Sequence, residues 1–293
     1  MSKQQDLSRM IFVSTACLPG VQPLASRLML YCGYGLNGVE LGGNVSVNEV
    51  NFSEIAKMDF QFLVHNYFPP PADPFVLNLA SADSRIRDRS LHFVRDAISL
   101  TARLGAPFYS VHAGFITDPT GFGSTGFIFP RPSSPNAAQE AMRRFITSLK
   151  TVVEHAGQLG IGLLVENNVC PEELRGKLLL QTSEEFLKLF RPLPSPQLGI
   201  LLDTGHLNVS AHTLDLDRVA FVDQVAPYVR AFHVHDNDGT ADTHQPVCAG
   251  SWVLDVLRRP EFGNLPIVVE AKFDTIDDLC RHVDWLKDEL QST

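Results

Sequence analysis

The sequence has little basic charge, few cysteines and no long apolar run. Its formal net charge is −9, which leaves no broad basic surface for nucleic acid and allows such a partner only through a local basic patch. The five cysteines are scattered, with no C-x-x-C arrangement, as is typical of reduced thiols in a cytoplasmic protein. No apolar run has membrane-spanning length, and the polar residues 1–9 lack the apolar core of a signal peptide. We therefore expect a cytoplasmic protein with no membrane partner.

What the chain does contain is a regular alternation of apolar runs and helix-like segments. A hydrophobic content of 44% with 19% charged residues predicts a globular protein with a sizeable core. Eight strand-like runs occur, and each is followed by a helix-like segment: Ile11–Ser14, Gly38–Leu41, Phe60–His65, Phe108–His112, Gly162–Glu166, Gly199–Asp203, Val229–His235 and Pro266–Glu270.

This alternation predicts a parallel sheet, and the count of eight favours a closed (β/α)8 TIM barrel over an open sheet. No linker-like composition or repeat of fixed period interrupts the series, so we expect a single domain over residues 1–293. A doubly wound sheet would need a glycine-rich phosphate-binding fingerprint after the first strand. Leu18–Gly20 does not provide one.

The ends of six consecutive predicted strands carry groups that bind metals or transfer protons. In a closed barrel these ends converge at one mouth. Each residue alone is more often a hydrogen-bonded structural group, but a whole set of carboxylates and imidazoles would be costly to bury without a cation. The mixed N/O set suits zinc, manganese, iron or cobalt better than calcium. The strand-end residues are His65, His112, Glu166, Asp203 with His206, His235, and Glu270.

The stretch Gly199–His206 is the centre of this pattern. Its buried apolar run ends at Asp203, and Gly205 predicts a sharp turn that brings His206 beside that carboxylate. An aspartate in this position is also a common helix cap or turn residue. The recurrence of such residues at the other strand ends favours a metal site.

The seventh predicted strand offers two histidines on one face. His233 and His235 are two residues apart and so project to the same side. His235 is nearer the mouth and is the predicted ligand, whereas His233 is assigned a supporting or packing role. The loop beyond them adds Asp242 and His244, which could complete a second metal position.

The loop from Gly114 to Pro135 contains four phenylalanines, and such a group is expected to pack against another surface rather than remain exposed to solvent. We expect it to form a lid on a substrate pocket or a contact between subunits, with a disordered segment as the alternative. The four residues are Phe115, Phe122, Phe127 and Phe129.

Several of these motifs resemble those of the xylose-isomerase-like barrel superfamily, which contains sugar isomerases and epimerases and the endonuclease IV group. The resemblance extends from Gly38 to the carboxyl-terminal segment. Its specific parts are Val64–Tyr67 with Asn78–Ser81, Val111–Gly114, Leu164–Asn167, Leu202–His206, His233–Gly239 and Val268–Lys272.

The two branches of the superfamily imply different metal sites. Similarity to the isomerases and epimerases implies a single ion, two glutamates that exchange protons with the substrate, and His206 against the substrate oxygens. That ion would be held by Glu166, Asp203, His235 and Glu270. Similarity to the endonuclease IV group implies up to three zinc ions, held by His65, His112, Glu166, Asp203, His206, His235, Asp242, His244 and Glu270.

Two departures favour the isomerase branch. The family's endonucleases usually have a D-T-C-H turn and basic loops that grip DNA, whereas this chain has glycine at position 205 and few basic residues in its early loops. The segment Asp236–Gly250 resembles that of isomerase-like members but departs at Val247–Gly250, where a glycine-rich turn is usual. That departure leaves the shape of the substrate rim open.

The leading hypothesis is a metal-dependent isomerase or epimerase acting on a sugar or related polyol through an enediolate. Glu166 and Glu270 would be the acid/base pair. The alternative is an endonuclease IV-like phosphoesterase with a two- or three-zinc cluster. A barrel that binds metal or a partner without turnover is disfavoured by the intact glutamate pair. The number of bound ions distinguishes the first two hypotheses.

Overall fold

The structure is a computed structural model that describes residues 10–18, 20, 23–43, 45, 51–123, 126–132 and 134–291. Within these ranges the strands are β1 (Ile11–Ser14), β2 (Gly38–Leu41), β3 (Gln61–His65), β4 (Phe108–His112), β5 (Gly121–Gly123), β6 (Gly126–Ile128), β7 (Gly162–Glu166), β8 (Leu198–Asp203), β9 (Val229–Val234) and β10 (Ile267–Val269).

Eight of these strands close into a parallel barrel, which confirms the predicted TIM barrel. The order around the barrel is β1-β10-β9-β8-β7-β4-β3-β2, and β5 and β6 form a separate antiparallel hairpin. That hairpin lies inside the stretch between Gly114 and Pro135, which the sequence predicted only as a loop.

The α-helices of the described residues surround the barrel. They are α1 (Leu24–Gly33), α2 (Phe52–Ile55), α3 (Ser84–Arg103), α4 (Ala137–Gln158), α5 (Ser183–Phe190), α6 (Thr204–Leu214), α7 (Arg218–Val225), α8 (Trp252–Leu257) and α9 (Ile276–Gln291). None of them is both long and apolar enough to cross a membrane.

Two predicted helices differ from the structure. The helix-like segment after the sixth predicted strand spans Leu214–Val225, but α7 begins only at Arg218, and Leu214 is the last residue of α6. Asp215, with φ 54°, ends α6 in the left-handed region. The helix-like segment after the second predicted strand spans Val47–Met58; of its described residues, 51–58, Phe52–Ile55 are helical, and residues 46–50 lie outside the described residues.

The inside of the barrel has an apolar layer directly below a polar one. Side chains two residues apart on a strand face the same side, so Leu164 is followed on the inner face by Glu166, and Leu201 by Asp203. The apolar layer is Phe12, Leu63, Phe108, Leu164, Leu201, Ala231 and Val268. A larger apolar core lies between strands and helices. The apolar floor thus fixes the polar groups at the carboxyl ends of the strands.

Candidate metal centre

The end of β8 positions Asp203 and His206. The predicted sharp turn at Gly205 is in fact the first turn of α6, with Asp203 as its N-cap: the backbone N–H of His206 donates to Asp203 Oδ1 at 2.7 Å. His206 Nδ1 donates to the carbonyl oxygen of Asn167 at 2.9 Å. Its Nε2 therefore faces outward, 3.4 Å from Asp242 Oδ2. Helix capping, rather than a loop, brings the carboxylate and the imidazole together.

Gly205 is required by the ring that packs against it. A Cβ atom at this position would lie 2.0 Å from Cε1 of His235 and 2.2 Å from its Nδ1. No side chain can occupy that space unless His235 moves. The glycine of this D-T-G-H segment therefore sets the place of an imidazole on the neighbouring strand.

The first group of potential ligands lies at the ends of β3, β4 and β7. His65 Nε2 and His112 Nε2 are 3.5 and 3.6 Å from Glu166 Oε2. The other ring nitrogen of His65 is hydrogen-bonded to Ser110 Oγ at 3.0 Å. Glu166 Oε2 is buried and has no hydrogen-bond partner among the described residues. Both imidazoles thus direct a nitrogen at the same unpartnered oxygen.

The second group surrounds His233, which is completely buried. Its Nδ1 lies 3.1 Å from Glu270 Oε2, 3.4 Å from Glu166 Oε1 and 3.6 Å from Asp203 Oδ2. This histidine was predicted to have a supporting or packing role, but its ring contacts three of the predicted ligand carboxylates.

Glu40, also completely buried, holds the other side of that ring. The Nε2–H of His233 donates to Glu40 Oε2 at 2.9 Å. A carboxylate that fixes an imidazole in this way is the usual outer partner of a metal-ligating histidine. Sequence reasoning missed Glu40. The available signal was a carboxylate inside the apolar strand Gly38–Leu41.

His235 lies on the opposite side of Asp203. Its Nε2 is 3.1 Å from both carboxylate oxygens of Asp203. Its ring stacks on that of His244, with centroids 4.2 Å apart and an interplanar angle of 20°. Its Nδ1 is buried and unpartnered within the described residues, 3.8 Å from Asp242 Oδ1.

The third group joins His206 to the loop after β9. Asp242 Oδ2 is 3.4 Å from His206 Nε2 and 3.2 Å from His244 Nε2. His244 Nδ1 donates to the backbone carbonyl of Glu270 at 3.1 Å, which leaves its Nε2 free to bind an ion. The structure thus brings all nine residues of the predicted set to one mouth of the barrel.

The pKa shifts show how strongly these groups depend on one another. Burial raises the pKa of Asp203, but the imidazoles of His206 and His235 outweigh burial and hold it well below its usual value. Burial lowers the pKa of His206 and of His233, but the carboxylates around them raise both well above the usual value. The carboxylates therefore require positive charge among them.

A divalent cation fits this donor set. A tetrahedral ion with bonds of roughly 2.0–2.1 Å separates its ligand atoms by about 3.3 Å. The contacts of Glu166 with His65, His112 and His233 span 3.4 to 3.6 Å. Several sets of three donors lie within 4.8 Å of one another, including His65–His112–Glu166 and Asp203–His206–His235. The unpartnered buried atoms on Glu166, His233, His235 and Asp242 are the atoms a cation would engage.

Residues 34–291 match the sequence profile of the xylose isomerase-like TIM barrel. The chain belongs to that family. A crystal structure of a D-tagatose 3-epimerase-like protein has a TM-score of 0.75 and 23% identity, with 96% of this chain and 97% of that one covered. This likeness shows the shared fold.

Two relatives in sequence have names from the two branches of the superfamily. A probable endonuclease 4 of Thermoplasma acidophilum is 25% identical over 211 residues, which cover 68% of this chain and 65% of that protein. A fructoselysine 3-epimerase of Shigella flexneri is 23% identical over 195 residues, which cover 66% of this chain and 61% of that protein. The chain thus aligns with less than two thirds of either protein.

Proposed function

We propose that the protein is a metal-dependent isomerase or epimerase that acts on a sugar or related polyol through an enediolate. The observation that carries this proposal is the convergence of Glu166 and Glu270. They project from β7 and the end of β10, and both lie within 3.4 Å of the same atom, His233 Nδ1. A reaction that removes a proton from carbon and later replaces it can use such a pair of neighbouring carboxylates as its general acid and base.

The two glutamates differ in access to the mouth. The side chain of Glu270 is 14% exposed and that of Glu166 is 1% exposed. Burial raises the pKa of Glu270, but neighbouring His233 outweighs it and lowers the pKa below the usual carboxyl value. Glu270 is therefore ionised at neutral pH and can accept a proton. In an isomerisation Glu270 would give that proton back to the neighbouring carbon. In an epimerisation Glu166, protonated from solvent while Glu270 releases its proton to solvent, would protonate the opposite face of the enediolate. His206 Nε2 would contact a substrate oxygen.

A divalent cation would be held by Glu166, Asp203 and Glu270 with His233 in place of the predicted His235, since His233 Nδ1 lies within 3.6 Å of all three carboxylates. It would polarise the substrate carbonyl and stabilise the negative charge of the enediolate. The apolar layer below these residues closes the floor of the site, so solvent enters only from the mouth. Zinc, manganese, iron and cobalt all suit the donors.

Solvent deuterium exchange tests the proposal without knowledge of the natural substrate. Protein loaded with each metal in turn is incubated in D2O with a panel of free ketoses and their alkyl and aryl ethers, and incorporation beside the carbonyl is measured by mass spectrometry. We expect exchange with the unmodified chain and a loss of about 10²–10⁴-fold in Glu166→Gln and Glu270→Gln. Glu154→Gln, an exposed change on α4, is the control. Full exchange in both site variants would overturn the assignment.

Phosphoester hydrolysis is the second candidate, and the third donor group favours it. Asp242 contacts both His206 and His244, and the proton-transfer reaction has no need of Asp242 or His244. Similarity to the probable endonuclease 4 supports the same alternative. Elemental analysis of protein purified without chelator discriminates between the candidates, because one ion per chain supports the isomerase and three zinc ions support the hydrolase. Cleavage of abasic DNA at low salt would establish the hydrolase directly.

A further inference from the structure

A cavity of about 640 Å³ opens beside the metal centre. Its walls come from the loops that follow β3, β4 and β7, the three strands that end in His65, His112 and Glu166. His112 belongs to both regions: it lines the cavity, and its Nε2 faces Glu166. A ligand held at the metal centre can therefore extend past His112 into this space, which we call the apolar cavity.

The lining of the apolar cavity is almost entirely hydrocarbon. Apart from Asn66, His112 and Asn168, its described lining residues are apolar or aromatic, and none is Asp, Glu, Lys or Arg. Arg89 stacks on the ring of Phe75 at 4.1 Å but does not line the cavity. No lining cation is available for a phosphate group.

Hydrogen bonds build the cavity in advance of any ligand. Asn78 is completely buried; its Oδ1 accepts the backbone N–H of Phe115 at 3.1 Å, and its Nδ2 donates to the Phe115 carbonyl at 3.2 Å. On the facing wall, the N–H of Phe75 donates to Tyr67 Oη at 2.6 Å. Asn168 Nδ2 donates to the carbonyl of Leu179 at 2.8 Å. Asn168 Nδ2 also lies 3.4 Å from the carbonyl oxygen of Gly114, to which it donates, so the three loops are tied to one another.

The rim carries exposed phenylalanines on the β5–β6 hairpin. Phe122 is 75% exposed and Phe127 is 40% exposed, and both line the cavity together with Phe115. Aromatic surface exposed beside a preformed cavity is suited to contact with an apolar ligand.

We propose that the apolar cavity binds an uncharged aryl or alkyl substituent of the substrate, whose polyol part reaches the metal centre. This inference rests on the proposed isomerase or epimerase function. It specifies the substrate class as an uncharged polyol or keto-sugar derivative with an apolar group, in place of a free or phosphorylated sugar. The volume is in the range of about 300–1,000 Å³ that is usual for drug-sized ligands.

Binding of a homologous series tests the cavity independently of turnover. Methyl, butyl, hexyl and phenyl β-D-glucosides are titrated into the metal-loaded full chain by calorimetry. We expect affinity to rise about fourfold for each methylene group that enters the cavity. Phe122→Ser and Leu174→Asn, two changes in its lining, should lower the ratio of hexyl to methyl affinity at least threefold, by rough estimate. Tyr34→Ser, which removes an aromatic residue 48% exposed outside the cavity, is the matched control.

Equal affinities along the series, or an affinity ratio unchanged in both lining variants, would overturn the proposal. So would dissociation of an oligomer by Phe122→Ser in analytical ultracentrifugation, since a second copy of the chain would then cover the cavity. Deuterium exchange separates this proposal from the function on which it rests. If deuterium exchange occurs but affinity does not rise along the glucoside series, only the cavity assignment is overturned. If affinity rises along the series but no exchange occurs, the cavity assignment is supported and the isomerase proposal is overturned.

Discussion

The two sides of the barrel mouth have opposite chemistry. Around Asp203 and His233, buried imidazoles and carboxylates contact one another at 3.1 to 3.8 Å. Beyond His112, the surface consists of aromatic and aliphatic side chains without a charged residue among the described lining residues. The first region has the donors for a cation, whereas the second offers a ligand mainly apolar contact.

The difference reflects where each region comes from. The metal centre is built by inward side chains of the strands, whose positions follow from the barrel register: Asp203 pairs with His233, and His112 with Glu166. The apolar cavity is built by the loops beyond those strands. Under the proposed function, reaction chemistry thus belongs to the part that the fold fixes, and substrate choice to the loops, which can vary without altering that part.

The largest effect that separates the two regions is expected from Asp203→Asn. The amide still caps α6, because asparagine is as good an N-cap as aspartate, but the charge shared by the surrounding imidazoles is lost. We expect metal content to fall to roughly a tenth or less and deuterium exchange to fall by about 10²-fold or more. The affinity ratio of hexyl to methyl glucoside should be unchanged.

Asp217→Asn is the matched control for that change. Asp217 caps α7 by accepting the N–H groups of Val219 and Ala220 at 2.8 and 3.2 Å, and it is exposed. Its replacement should leave metal content and exchange unaltered. If Asp203→Asn retained full metal content by elemental analysis, Asp203 would not be a ligand.

A smaller loss is expected from Gly205→Ala. The new methyl group would overlap the ring of His235, and overpacking of this kind costs about 1–3 kcal/mol in free energy of unfolding. Metal affinity should fall because the His235 ring is displaced. The affinity for the glucosides should still rise with the length of the alkyl group. Gly157→Ala in α4 is the control: its Cβ would lie 3.8 Å from Gln197, and the change should be neutral or stabilise by up to about 1 kcal/mol. Chemical denaturation and chelator competition measure both quantities.

The fold and most of the metal centre could be predicted from sequence because both follow from local patterns. The run Gly162–Glu166 is a strand with the predicted bounds, since its apolar residues are limited by glycine and by a charged group. Residues at the ends of such strands converge by the geometry of the barrel. The structure accordingly places Glu166 beside His65 and His112, which are distant in sequence.

What could not be predicted depends on tertiary contacts. Glu40 is followed by Leu41 in β2 and gives no strand-end signal, so only its contact with His233 reveals its position. The start of α6 contains Thr204 and Gly205, which have low helix propensity, and the helix begins there because Asp203 caps it. The apolar cavity needs three loops from distant parts of the chain, and no periodicity in the sequence links them.

Glu40→Gln tests whether Glu40 positions His233 for metal binding. The amide keeps the shape of the side chain but not its charge, and loss of such an outer partner typically lowers metal affinity about 10–100-fold. Competition with a chromophoric chelator measures the metal affinity. The relative affinities of the glucosides should not change. In a double-mutant cycle with His233→Gln the two losses should be strongly non-additive. Additive losses would show that Glu40 acts independently of His233.

The smallest effect is expected where the two regions meet, from His112→Phe. This change removes one nitrogen donor near Glu166 and extends the hydrocarbon lining of the cavity. If the ring adds roughly 40 Å² of apolar contact at about 25 cal/mol per Å², phenyl glucoside should bind about fivefold more tightly. Elemental analysis should show loss of at most the ion nearest His65, since Asp203 and His235 are unaltered. Weaker binding of phenyl glucoside would show that His112 contacts the polyol rather than the apolar group, and would move the boundary between the two regions toward Phe115.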